Sequence, residues 1–236
     1  MSERFFASQP IAGDSFTLSG EEARHLIAVM RAQIGDEVTL FDGHGSEFPA
    51  QVAAIQKHAV ILNLGPPRET SREISFELTL AVALPKGDRQ KWLVEKATEL
   101  GVTRLLPLTT ARGVAQPVEG ALDRLRRTVI EASKQCGRNR LLEIAPPKSA
   151  AELFTDHSSS ALRLLADPQG TSLINVPRAE RNLLIAIGPE GGFTPEELAS
   201  ATAANWQSVS LGPRILRIET AAVALAAWAS LLNPEP

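Results

Sequence analysis

The stretch "LLIAIGPEGGFTPEEL", residues 183–198, constrains the fold more tightly than any other. Leu183, Leu184, Ile185, Ala186 and Ile187 form an unbroken apolar run, the pattern of a strand covered on both faces. Thr194, Pro195 and Glu197 then spell a capping box. The threonine accepts from first-turn amides, the proline needs no amide proton, and the glutamate reaches back to the cap. Such a cap contributes roughly 1 kcal/mol. Strand, glycine turn and helix in this order put a ligand at the strand's carboxyl end. Glu190 lies within the turn and is a poor neighbour for a phosphate.

A second run of this kind follows. "VSLGPRILRIETAAVALAAW", residues 209–228, again reads strand, Gly-Pro turn, helix. Leu211, Ile215, Leu216 and Ile218 make an apolar wall, and Gly212 leaves the backbone accessible. Two such loops suit a flat, uncharged heterocycle such as adenine, and a nearby carboxylate tolerates a cationic ligand. Spacing alone leaves open whether both loops are only tight turns closing a sheet.

The rest of the chain supplies that sheet. Strands are predicted over 77–84, 104–108, 162–166, 182–187 and 208–211, with helices over 88–100 and 122–136. Strands alternating with helices give an α/β layer with a largely parallel sheet. Upstream, to about residue 64, the pattern is that of a small β domain, with strands over 47–55 and 59–64 and hairpin-turn glycines in "FDGHGSEF". One helix, 19–31, interrupts it, with Ser19 and Glu22 at capping-box spacing. "GPPRETSREIS", 65–75, reads as a linker. The domains are therefore expected at 1–68 and 74–236.

Bulk properties narrow the class. At 236 residues and 44% hydrophobic, the chain is an ordinary globular one, and its net charge of −3 announces no nucleic-acid partner. Cys136 is the single cysteine, which excludes a disulfide framework and suits a reducing compartment. The start lacks an apolar signal region, and the longest apolar stretch, 220–232, is 13 residues, too short for a bilayer. A cytoplasmic protein with no membrane partner is expected. That last stretch is apolar all round, so its helix is buried, in the core or at a subunit interface.

Familiar catalytic templates are missing. His25, His44, His58 and His157 show no metal-ligand spacing, so no metal is expected. There is no nucleophile elbow or P-loop, and GPEGG lacks the spacing of a dinucleotide fingerprint. Basic residues cluster instead. From Arg124 to Arg140 there are six (Arg124, Arg126, Arg127, Lys134, Arg138 and Arg140) against one acid, Glu131. This one-sided run is a candidate phosphate-facing surface, with Lys86, Arg89 and Arg112 as possible neighbours and Arg24 as a further RNA contact.

"IGPEGGF" followed by "LGPRILRIETA" resembles the SPOUT superfamily of S-adenosylmethionine-dependent RNA methyltransferases. Within it, the chain is similar to the family that methylates N3 of a uridine in bacterial 16S ribosomal RNA. "RFF", "HLIAVMRAQIGDEVTLFDGHG", "LPKGDRQKWLVEKATELGVTRLLPLTTARG" and "EASKQCGRNR" support this in order and spacing. The resemblance implies a PUA-like RNA-gripping β-barrel, a C-terminal α/β domain with a deep trefoil knot, and a homodimer. It also implies an S-adenosylmethionine pocket built from three loops. The first supplies Leu165, Ala166, Asp167 and Pro168. The second supplies Ile187, Gly188, Pro189, Glu190, Gly191 and Gly192. The third supplies Leu211, Gly212, Ile215, Leu216, Ile218, Thr220 and Ala221, with Ile218 where the family usually has Thr.

The opening loop then holds a sulfonium, whose positive charge is compatible with Glu190. Uracil N3 carries a proton that must leave, so an anion stabiliser or proton acceptor is needed. Arg4 and Arg31 are candidates for the first role. Glu219 is a candidate for the second, or else a cap on the final helix. Competing readings are a related enzyme acting on another RNA and a non-catalytic RNA-binding or ribosome-assembly protein.

Overall fold

The computed structural model describes residues 3–113, 119–156, 161–176 and 182–232. The chain divides into two compact units, Met1–Glu73 with Ile130–Leu141, and Ile74–Val129 with Leu142–Pro236.

The first unit is a five-stranded sheet in the spatial order β1-β3-β4-β5-β2. Its strands are β1 (Arg4–Phe6), β2 (Ser15–Ser19), β3 (Glu37–Phe41), β4 (Glu47–Ile55) and β5 (Ala59–Leu64). β4 and β5 have the bounds the sequence predicts. "FDGHGSEF" turns β3 into β4 because Asp42 Oδ1 accepts from the amides of His44, Gly45 and Ser46, at 2.7 to 3.1 Å. Alternating residues Val38 and Leu40, Ala50 and Val52, and Val60 and Leu62 face a core completed by Phe5, Leu18 and Leu26.

Two expectations for this unit need correction. The helix expected over 19–31 is a short α1 (Gly20–Arg24) followed by a π-helical turn, His25–Val29. Ser19 makes no side-chain cap, since it still belongs to β2 and Gly20, at φ +67°, turns the chain. Its intended partner, Glu22, pairs with Lys134 at 3.1 Å instead. Nor is 65–75 a free linker. Arg68 exchanges backbone hydrogen bonds with Glu47 at 2.7 and 3.0 Å, and Arg72 and Glu73 pair with side and main chain of the same unit.

The second unit carries a wholly parallel sheet among the described residues, in the order β12-β10-β11-β6-β7-β8, with a further short strand on β7. The elements are β6 (Leu78–Val82), α2 (Asp88–Glu99), β7 (Arg104–Thr109), α3 (Glu119–Cys136), β8 (Glu143–Ile144), β9 (Lys148–Ser149), α4 (Ala150–Thr155), β10 (Leu162–Ser172), β11 (Leu183–Ile187), α5 (Pro195–Ala203), β12 (Gln207–Ser210) and α6 (Ile218–Ser230). The last turns of α3 belong to the first unit. Phe154 stacks edge-on against Phe193 and Trp206, fixing α4, the 188–193 turn and the end of α5 in one cluster. The capping box of α5 forms as predicted: Thr194 Oγ1 accepts from Glu197 N, and Glu197 Oε2 from Thr194 N. The apolar α6 buries Ala222, Leu225, Ala226 and Ala229, while Trp228 stays half-buried. No helix among the described residues is long and apolar enough to cross a membrane.

Candidate cofactor and RNA site

Three turns converge at the carboxyl ends of β10, β11 and β12. The first is made by an irregularity in β10. Its ladder with β12 pairs Ala166 with Val209, then Thr171 with the same Val209, so Asp167–Gly170 bulge out between them. Asp167 Oδ1 accepts from Gln169 N at 2.9 Å, closing the bulge. Gly170 lies against β12 so closely that a Cβ would stand 2.6 Å from the Ser208 carbonyl carbon and Val209 nitrogen, and only glycine fits.

The second turn follows β11. Gly188 abuts the Phe193 ring, where a Cβ would sit at 3.0 Å, and Gly192 adopts φ +67°. Arg112 fastens the turn by donating to the Gly191 carbonyl at 2.7 Å, and Glu197 Oε1 accepts from the Ala111 amide at 2.9 Å. The third turn follows β12, with Gly212 at φ +108°.

Between the turns lies a cavity of about 510 Å³. Ala166, Asp167 and Pro168 form one side, Ile187 to Gly192 the second, and Leu211, Gly212, Ile215, Leu216, Ile218 and Ala221 the third. These residues are among those expected to hold the cofactor. Two expected contacts lie elsewhere. Leu165 is fully buried in the core, since its side chain points away on the alternating pleat, and Thr220 is exposed and off the cavity wall. Gln169, Phe193, Pro195, Leu198 and Val209 line the cavity without having been expected, and Arg214 lines it from within the third loop. The DPQG turn signal at 167–170 was the available hint for Gln169.

The size and walls suit a nucleoside with a cationic centre. The volume lies within the usual range for small-molecule sites, about 300–1,000 Å³, and the lining mixes aliphatic side chains with glycine backbone. Asp167 and Glu190 are the acidic side chains of the lining.

Beyond Glu190 the charges continue. Arg89, on α2, places Nη1 at 3.7 Å from Glu190 Oε1 and 3.6 Å from Glu219 Oε1. Glu219 lies in the first turn of α6, after Arg217 at the N-cap, with its side chain 8% exposed. Its Oε2 is buried without a hydrogen-bond partner.

The RNA methyltransferase domain family matches residues 72–230, and the RNA methyltransferase PUA domain family matches residues 18–65. The ribosomal RNA small subunit methyltransferase E of Synechocystis sp. is 34% identical over 242 residues, covering 96% of this chain and 77% of that protein. The chain belongs to the ribosomal RNA small subunit methyltransferase E family. Among solved structures, the enzyme of that name from Neisseria gonorrhoeae, bound to S-adenosyl methionine, is 30% identical with a TM-score of 0.91 over 98% of both chains. A methyltransferase from Legionella pneumophila with bound cofactor is 28% identical, with a TM-score of 0.90 over 98% of both chains.

In this methyltransferase the basic residues expected to meet RNA divide into two groups. Arg24, Lys86, Arg112 and Arg140 are exposed, as is Arg31, which was expected with Arg4 to stabilise a uracil anion and adopts a left-handed conformation at φ +54°. Arg124 and Arg127, on α3, are exposed as well. Arg138 is 3% exposed and grips Glu73 through two bonds, Nη2 to Oε2 at 2.6 Å and Nε to Oε1 at 3.1 Å. Lys134 pairs with Glu22 and lies 5.6 Å over the Phe5 ring. Both face inward, so the phosphate-facing surface expected from the sequence loses them: a buried, paired cation is not presented to a ligand. Arg4, expected to stabilise a uracil anion, donates to Glu47 at 2.8 Å and to Asn139, and stacks 5.1 Å from the Phe41 ring. That commitment makes it part of the first unit's framework. Burial works to raise the Glu47 pKa, but hydrogen bonds from Arg4, Arg72 and Asn139 outweigh it and hold this carboxyl below its usual range. No group of three or more His, Cys, Asp or Glu among the described residues could hold a metal; His157 lies outside those residues.

Proposed function

We propose that this methyltransferase transfers a methyl group from S-adenosylmethionine to N3 of one uridine in 16S ribosomal RNA, in the cytoplasm and as a homodimer. The observation that carries the reading is the cavity of about 510 Å³ enclosed by the three turns. Bound there, the cofactor supplies an activated methyl group on a sulfonium. Gly188, Gly191, Gly192 and Gly212 allow the backbone to approach it, and Asp167 and Glu190 offset its charge. A trefoil knot belongs to the same reading. RNA is gripped by Arg24, Arg31 and Arg140 from the first unit and by Lys86, Arg89 and Arg112 from the second. A second copy of the chain covers the helix pair α2 and α6, where Trp92 is 43% exposed and Trp228 half-buried. Gel filtration at the 25.3 kDa of a single chain contradicts the dimer.

The cofactor assignment is tested by calorimetry with Gly191→Val. A Cβ at Gly191 makes only ordinary contact, 3.4 Å from Arg112 Cδ, so the fold survives while bulk is added at a residue that lines the cavity. Loss of S-adenosylmethionine binding with an unchanged melting temperature is expected; wild-type affinity in this variant contradicts the assignment.

A further inference from the structure

A smaller cavity, about 160 Å³, lies in the second unit on the other side of the GPEGG turn. Ala83 to Lys86, from the turn after β6, form its floor with Gly113, from the turn after β7. Pro189, Glu190 and Ile218 close it, and the same three residues line the larger cavity. The two spaces thus share one wall. Transfer of a small group between two bound molecules needs this arrangement, with reacting atoms brought to about 3–3.5 Å.

We propose that the smaller cavity receives the pyrimidine ring to be methylated, with Arg89 and Lys86 reading its carbonyl edge and Glu219 taking the proton from N3. The inference rests on the methyltransferase reading above and adds its base-binding site. Size supports it: the volume equals that of about five waters at ~30 Å³ each, the scale of one substituted six-membered ring. Charge supports it as well. The uracil edge presents acceptor, donor, acceptor, and cations flanking a carboxylate are its complement. Lys86 is on the cavity wall and exposed.

Arg89 is held by two ion pairs of 3.6 and 3.7 Å, both beyond hydrogen-bonding distance, so its planar donors still have capacity for oxygen acceptors. The buried Glu219 Oε2 has no partner, a costly state that a ligand N–H would relieve. A second orphan stands beside the cavity floor. Thr110 Oγ1 is buried and unbonded, 2.9 Å from where a side chain on Gly113 would begin.

The proton step balances within the site. The N3–H pair stays on nitrogen, the proton passes to Glu219 Oε2, and the carboxylate becomes a neutral acid. The negative charge left on the base is shared by its two carbonyl oxygens, opposite Arg89 and Lys86. Cytosine, with an acceptor at N3 and an amino donor beside it, would set donor against cation and carboxylate against lone pair. It is rejected for that reason.

The test uses full-length protein, labelled S-adenosylmethionine and small ribosomal subunits from cells lacking the enzyme. Glu219→Gln is expected to lower kcat by about 10²- to 10⁴-fold and to remove the acidic limb of the pH profile. Lys86 and Glu190 line the cavity, Arg89 pairs with both Glu190 and Glu219, and all three are unchanged in this variant. Cofactor affinity by calorimetry should stay within about twofold, set against the tenfold that 1.4 kcal/mol would give. Arg89→Ala should raise KM as well as lower kcat, with partial rescue by Arg89→Lys.

Crosslinking wild-type protein to subunits carrying 5-bromouracil gives a readout independent of turnover and of variant folding. Crosslinked peptides from 83–89 or 189–190 support the site; peptides from elsewhere, or none, overturn it. Wild-type enzyme that transfers no label defeats the methyltransferase reading itself. Wild-type turnover together with an unimpaired Glu219→Gln defeats only the base pocket.

Discussion

Arg138 in the first unit and Arg89 in the second each face a carboxylate, the one at 2.6 Å and the other at 3.6 Å. Around Arg138 the charges are joined by hydrogen bonds into a nearly closed set, in which Arg4 Nε is left buried without a partner. Glu73 takes two of its bonds, Arg72 and Arg4 share Glu47, and Asn139 links Arg4 to the Thr70 carbonyl. Around Arg89 the set is open, with two long ion pairs and a buried carboxylate oxygen left unbonded. Closed networks fix one conformation, whereas open ones keep capacity for a ligand. Charge that looks alike along the sequence therefore does different work in the two units.

The largest expected effect comes from breaking the closed set. Arg138→Ala strands a partly buried Glu73 and should cost about 3–5 kcal/mol in denaturant unfolding. Arg89→Ala removes the long ion pair of the buried Glu219 but no hydrogen bond, so its loss of stability should be smaller than that of Arg138→Ala. Equal losses from the two variants would erase the distinction.

A smaller loss, about 1–3 kcal/mol, is expected for Gly170→Ala, because its Cβ would meet the β12 backbone at 2.6 Å. Since the same bulge carries Asp167 into the cavity, calorimetry should also show weakened cofactor binding.

Acid sharpens the comparison further. The folded-state pKa of Glu47 is lowered, so its stabilising contribution is present above the unfolded value, about 4.3, and is lost as pH falls through the folded value. Glu22 works the other way: burial raises its pKa against the pull of Lys134, so its charged form costs stability above the folded value. Melting temperatures of wild type and Glu47→Gln should therefore converge as pH falls below that range. A constant gap would remove Glu47 from the network.

The smallest effect concerns RNA. Replacing exposed Arg24 and Arg140 with Ala should reduce the salt slope of subunit binding by about one for each phosphate no longer neutralised. An unchanged slope would place the RNA elsewhere.

Much of the site was legible in the sequence because its signals are local. The Thr194–Glu197 cap, the apolar run of β11 and the glycines of two turns lie within a few residues of each other, and the structure follows them. The bulge after Ala166 was hidden because β10 resumes beyond it as a strand, and only the partner register on β12 shows the excursion. The inward turn of Lys134 and Arg138 was hidden for a similar reason. Their carboxylate partners, Glu22 and Glu73, lie 112 and 65 residues away along the chain. Capping-box spacing at Ser19 failed to the same competition, since Glu22 had a stronger tertiary partner.

The most direct test is nucleoside analysis of small-subunit RNA after incubation with this protein and S-adenosylmethionine labelled in its methyl group. Label recovered in 3-methyluridine, at one position, is the predicted result. Label in any other nucleoside, or none in RNA from enzyme-free cells, contradicts the account.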